Sequence, residues 1–176
     1  YTHGFNVYTT ITKEEQETAY AALRKGVLDY ERRHGYRGPE AIVELPRNKE
    51  LADEIIEKEL AEHPDSDDIL SAMVTEASPS AVKATLLNGE EIQITGPGLS
   101  FAASGLKANA PPNKRIQRGA VIRVILEGKN WSIIQMPEVQ SAFVAADTHD
   151  GAIRALVGGF DYNLNKINLV THAWRQ

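Results

Sequence analysis

A chain of 176 residues, with 42% hydrophobic and 24% charged residues, has the composition of a globular protein of one domain or two small ones. Its formal net charge of −5 argues against a dedicated nucleic-acid binder, and the absence of cysteine excludes disulfides, thiol catalysis and cysteine metal sites. No apolar run reaches the ~18 residues of a membrane helix and no signal peptide is recognisable, while the opening "YTHGFNVYTT" lacks an initiator methionine, so both ends are expected to be cut.

Phe5, Val7, Thr9 and Ile11 alternate in "FNVYTTI", the pattern of a half-buried strand over 5–11. In "TKEE", Thr12 and Glu15 have the spacing of a capping box that opens a helix over 12–34. Ala19, Ala22, Leu23, Val27 and Tyr30 form its apolar face, and Gly35 is its C-cap. "YRGPEAIVELP" reads as a connector with one short apolar run. A second amphipathic helix over 49–62 is capped by Asn48, with Leu51, Ile55, Ile56 and Leu60 as its buried stripe.

From Asp68 the period becomes strand-like. "ILSAMVTEAS", "AVKATLLNG" and "EEIQITG" are three strands, with a tight turn at Asn88-Gly89 between the last two. A long polar loop follows, with room for one helical turn. "AVIRVILEG" and "WSIIQMP" are two more strands joined around Gly128-Lys129-Asn130. Five short strands with a loop between the third and fourth predict a small OB-like barrel over about 69–137. "VQSAFVAADTHDGAIRALVGG" is then a hairpin over 139–158 turning at Asp150-Gly151, its runs apolar enough to be covered on both faces. The fold class is therefore α+β: a five-stranded OB-like β-barrel with an amphipathic helix, flanked by a helix and strands of an incomplete second domain. Residues 36–137 read as a self-contained insert. Residues 1–35 supply the leading strand and helix of the interrupted domain, and 138–176 its first hairpin. These flanks are expected to pack together and, with nothing covering their far side, to self-associate or disorder.

Charge is segregated. Residues 49–68 hold nine acids, among them Glu54 and Glu57, against Lys49 and Lys58, whereas the loop from Lys107 through Lys114 and Arg115 to Arg118 has no acid. Solvated surfaces explain this, and so does a docking surface steered by complementary charge. Trp131 at a strand start suits the core or a partner contact. Lys107, Lys114, Arg115, Arg118, Trp131, Glu54 and Glu57 are the candidate docking residues.

Catalytic patterns are weak. Ser104 and Lys107 in "SGLK" have the S-x-x-K spacing of penicillin-recognising serine enzymes. That chemistry needs the lysine one helical turn beyond the serine, and the prolines of "ANAPPNK" oppose a helix. Asp147, His149 and Asp150 of "DTHDG" sit at a hairpin tip, where solvation explains them without a metal. The five histidines show no ligand spacing, and no motif points to a cofactor. Single-stranded nucleic acid, a common OB ligand, wants aromatic plates in a basic groove, and this barrel has only Phe101 and Trp131.

The flanks carry a family resemblance. "FNVYTTITKEEQETAYAAL" resembles the segment between the glycosyltransferase and transpeptidase domains of class A penicillin-binding proteins. "VLDYERRHGYRGPE" is similar to the string that opens an inserted domain in the 1A subgroup of Gram-negative bacteria. "SAFVAADTHDGAIRALVGGFDYNLNKINLVTHAWRQ" resembles the start of the transpeptidase domain, just ahead of its S-x-x-K nucleophile, with Ile167 where the family tends to have phenylalanine. The resemblance implies no catalytic residue within this sequence. It implies a parent that polymerises and crosslinks peptidoglycan, anchored in the inner membrane and facing the periplasm. It also implies that the insert is a non-catalytic docking domain for an outer-membrane-anchored lipoprotein activator. Other expected contacts are with the catalytic domains of the same protein, on the same or a separate chain, and not with nucleic acid or directly with the membrane. The alternatives are a structural spacer bracing the catalytic domains, or an independent oligonucleotide-binding barrel.

Overall fold

A computed structural model describes residue 4 and residues 6–173. The chain divides into two compact units, residues 31–136 and residues 1–30 with 137–176.

In the 31–136 unit the element order is β1 (Ala41–Ile42), α2 (Lys49–Ala61), β2 (Ile69–Ala77), β3 (Ala81–Leu86), β4 (Glu91–Thr95), β5 (Ala120–Glu127) and β6 (Asn130–Ile134). All pairs are antiparallel, and the five longer strands run in the order β4-β3-β2-β5-β6. The five predicted strands are therefore present. The expected barrel is not closed by a ladder, because β4 and β6 approach each other without pairing. The 3-10 turn Gly96–Leu99 lies against both instead. Gly98 meets the Trp131 carbonyl there so closely that a Cβ would overlap it.

A sixth strand, β1, lies in the segment that reads in sequence as a connector. It pairs Ala41 with Val121 and Ile42 with Ala120, completing the edge of β5 that β6 takes from Arg123 onward. The adjoining Gly119 (φ +86°) lies under the Val43 carbonyl, where no side chain fits.

β2 and β5 are buried on both faces, which explains their apolar runs. Ala72, Val74, Ile122 and Val124 point into the inner core with Val82, Ile94, Leu99 and Ile133. Met73 and Val121 point outward beneath Ile56 and Leu60 of α2. Asn48 caps α2 as expected, its Oδ1 accepting from the Leu51 amide at 3.1 Å. The buried stripe is Ala52, Ile56 and Leu60, and Leu51 is 52% exposed. Hydropathy favoured the larger leucine, but the i, i+4 row facing the sheet runs through Ala52. At the Asn88-Gly89 turn, Asn88 Oδ1 accepts from the Glu90 amide at 2.9 Å.

The two ends of this unit are tied together. Glu31, almost fully buried, pairs with Arg37 and accepts from Gln135 Nε2 at 2.9 Å. Gln135 Oε1 accepts from the Arg37 amide at 2.9 Å, and Arg37 Nη2 donates to the Met136 carbonyl at 2.6 Å.

The other unit holds most of α1 (Lys13–His34), the hairpin β7 (Phe143–Ala146) and β8 (Ile153–Val157), and the short α3 (Leu169–His172). Glu15 N–H donates to Thr12 Oγ1 at 3.4 Å, and the Thr12 hydroxyl donates to the Glu15 carboxylate at 2.7 Å, so the predicted pair opens the helix. Ala19, Leu23, Val27 and Leu28 are buried, whereas the expected Ala22 and Tyr30 are exposed. Helix and hairpin meet as expected. Gln16 mimics a strand backbone, donating to the Leu156 carbonyl and accepting from its amide, both at 2.8 Å. Arg24 stacks on the Phe160 ring at 4.2 Å and donates to its carbonyl at 3.2 Å.

The predicted strand over 5–11 is a correction. Phe5 lies outside the described residues, and 6–11 is not strand, with Val7 80% exposed. Alternation alone does not make a strand, which needs a partner edge for its backbone groups. The segment's tie to the hairpin is through a side chain, Thr10 Oγ1 to the Ile153 carbonyl at 2.6 Å.

Candidate docking site

α2 exposes Glu50, Asp53, Glu54 and Glu57. At 3.6 residues per turn these four fall within about a third of its circumference, flanking the buried stripe on one side. Across a cleft of about 420 Å³ stands the β3–β4 turn with Glu91, and Ile56, Leu86 and Leu87 contribute apolar lining. Glu54 and Glu57 thus share one helix wall, and Glu57 itself lines the cleft. The exposed turn residues Asn88, Gly89 and Glu91 form the facing wall, which in the sequence reads only as a turn. Its signal was the "NGEE" string.

The basic loop is a different matter. Arg115 Nη2 donates to the Ala110 carbonyl at 2.9 Å, and Arg118 reaches the Thr75 and Pro46 carbonyls at 3.1 and 3.0 Å. Both guanidiniums staple backbone. Lys107 is exposed and Lys114 half-buried, and among the described residues neither ammonium has a hydrogen-bond or ion partner. Trp131 is half-buried and packed on the inner core, where it pairs with Leu126 across β5–β6. The loop, Trp131 and the acidic wall are not assembled into one described cleft.

A second cleft, of about 330 Å³, is lined by Arg32, Phe101, Glu127 and Ser132 among others. Its charges are satisfied internally, with Arg32 2.6 Å from Glu127 and the Ser132 hydroxyl donating to Glu127 at 2.8 Å. The Ser132 bond first, then Arg32, holds the Glu127 carboxyl below its usual range against the opposing effect of burial.

At the root of α2, Arg123 grips Glu40 with two bonds of 2.8 Å and donates to the Pro64 carbonyl at 2.8 Å. His63 Nδ1 lies 2.8 Å from the same Glu40 and its Nε2 3.5 Å from Glu59. Burial opposes ionisation of Glu40, but the bonds and charges of Arg123 and His63 outweigh it and lower its pKa.

The catalytic lookalikes resolve into local structure. Ser104 lies in the 3-10 turn Ala103–Leu106, and Lys107 follows it in extended backbone, with no hydrogen bond between them. Asp147 accepts from the His149 amide at 2.8 Å and from Arg154 at 2.9 Å. Among the described residues no group of three His, Asp or Glu is placed to hold a metal ion, and no helix is long and apolar enough to cross a membrane.

Comparison with known proteins accounts for this architecture. A family model described as the penicillin-binding protein OB-like domain matches residues 36–139. Penicillin-binding protein 1A of Neisseria flavescens is 37% identical over 176 residues, covering all of this chain and 22% of that protein. Penicillin-binding protein 1A of Escherichia coli K12 is also 37% identical, covering all of the chain and 21% of its own length. The crystal structure of penicillin-binding protein 1A from Haemophilus influenzae superposes with a TM-score of 0.77 at 27% identity, covering 97% of this chain and 24% of that one. The chain spans about a fifth of the length of the curated relatives it matches. It belongs to the penicillin-binding proteins of the 1A type, and residues 36–139 are their OB-like domain.

Proposed function

We propose that the 31–136 unit is a non-catalytic docking and regulatory module of a bifunctional peptidoglycan synthase. The synthase joins lipid-linked disaccharide-peptides and crosslinks their peptide stems. It is anchored in the inner membrane, and this part of it faces the periplasm. There the module receives an activator that is itself an outer-membrane-anchored lipoprotein. The observation that carries this reading is the pairing of a core closed within the unit with an acidic wall that, among the described residues, has no ion pairs. A unit whose two ends are tied by Glu31, Arg37 and Gln135 can hold a partner without disturbing the domain it interrupts. Passing the full-length synthase and a form lacking residues 36–137 over immobilised periplasmic lipoproteins tests it. The expected result is retention of the first and loss of the second; equal retention moves the docking site elsewhere.

A structural spacer is the second reading. One observation favours it: α1 is a single helix whose residues belong to both units, with Glu31–His34 in the second. A spacer alters crosslinking with no activator present, whereas a docking module leaves basal crosslinking intact.

A further inference from the structure

We infer that the cleft between α2 and the β3–β4 turn receives a cationic peptide segment of a partner protein, seated with an apolar side chain against Ile56, Leu86 and Leu87. The inference rests on the docking reading and assigns it a site and a chemistry.

Charge selects the occupant. Asp53, Glu57 and Glu91 line the cleft against Lys49 alone, and Glu50 and Glu54 on the same helix and Glu90 on the same turn are exposed. Among the described residues none of these six carboxylates is held in an ion pair. Glu91 feels Lys83, but that ammonium is bonded to Glu76 at 2.8 Å. A second cleft of this unit, with Arg32 closed on Glu127, shows what internal neutralisation looks like. Like charges gathered on two facing walls repel, and a cation between them relieves both walls at once.

The lining adds a second requirement. Ile56 and Leu86 are buried and form a floor, while Leu87 is 42% exposed at the edge of the cleft. A diffuse counterion satisfies the carboxylates and leaves Leu87 wet. A peptide carrying lysine or arginine beside an aliphatic residue satisfies both. A second copy of this chain would not present its basic loop in full, because Arg115 and Arg118 are bonded to their own backbone and leave that loop only Lys107 and Lys114.

The test uses the whole chain and a fluorescein-labelled octapeptide of alternating lysine and leucine. Anisotropy is expected to report binding that weakens steeply with salt. Amide shifts are expected to concentrate at Asp53, Glu57 and Thr85–Glu91. Asp53→Asn with Glu57→Gln should weaken binding about tenfold, and Leu87→Ser severalfold. Glu44→Gln with Glu62→Gln makes the same charge change elsewhere on the unit and should have little effect. Equal weakening by both double variants, equal binding of a glutamate–leucine octapeptide, or shifts outside the cleft would overturn the inference. So would concentration-dependent self-association that fills the cleft with a second copy. If the synthase retains its activator and Asp53→Asn with Glu57→Gln leaves retention unchanged, the cleft assignment fails and docking stands. If the peptide binds as described but no activator is retained, the cleft stands and the docking reading fails.

Discussion

In the 31–136 unit, β2 and β5 are covered on one face by the inner core and on the other by α2, so their apolar runs leave little bare surface. In the other unit, β7 and β8 have a comparable composition but leave Phe143, Val144 and Ile153 exposed, Val144 at 51%. The same sequence signal, a predominantly apolar strand, thus accompanies a covered sheet in one region and a partly exposed hairpin in the other. Composition tells which residues want burial. Only topology tells whether the chain itself supplies the cover.

Truncation sharpens this contrast most. Leu60→Ala removes a fully buried side chain between α2 and the sheet and should cost about 3 kcal/mol in denaturant unfolding. Val144→Ala on the open hairpin should change stability by under ~0.5 kcal/mol and reduce self-association in light scattering. Similar losses at both positions would break the comparison. Next in size is the knot at the unit's ends. Glu31→Gln removes the charge that Arg37 faces in a buried setting, and should cost about 2 kcal/mol, moderated by the partial exposure of Arg37. Amide exchange near Gln135 should rise first.

Acid unfolding follows. Glu40 is lowered from its ordinary 4.5 in the folded state, so it contributes stability above that value that is lost as pH falls through the folded pKa. The clamp of α2 should loosen on acidification below about pH 4.5, and Glu40→Gln should flatten that dependence. An unchanged acid limb in that variant would contradict the assignment. The smallest effect is at Tyr36, which is buried against Phe101 and whose hydroxyl has no hydrogen-bond partner among the described residues. Burial first, and the charge of Glu40 second, push its phenol pKa up. Tyr36→Phe should therefore be neutral or stabilising by up to about 1 kcal/mol, and a clear loss would reveal a bond to that hydroxyl.

What was legible in the sequence was local chemistry. Asn48, Thr12 with Glu15, and Asn88-Gly89 announce their caps and turn because each satisfies backbone groups within a few residues. The five longer strands of the OB-like unit follow from apolar pattern and turn spacing. β1 was not legible, since two residues become a strand only where β5 offers an open edge. The strand over 5–11 failed for the converse reason, a good pattern with no ladder. At the site, the acidic side of α2 could be read from sequence, but its facing wall is brought there by tertiary packing. Arg115 and Arg118 show the limit of charge counting, because a loop staple and a docking cation have the same composition.

The central claim, that residues 31–136 dock a partner and do not themselves take part in crosslinking, is tested most directly by transpeptidation assays. The full-length synthase and the form lacking residues 36–137 would each be assayed with and without the lipoprotein activator. Equal basal crosslinking is expected in the two forms, with stimulation by the activator confined to the form that keeps the insert. Altered basal crosslinking in the shortened form, or stimulation that survives the deletion, would contradict it.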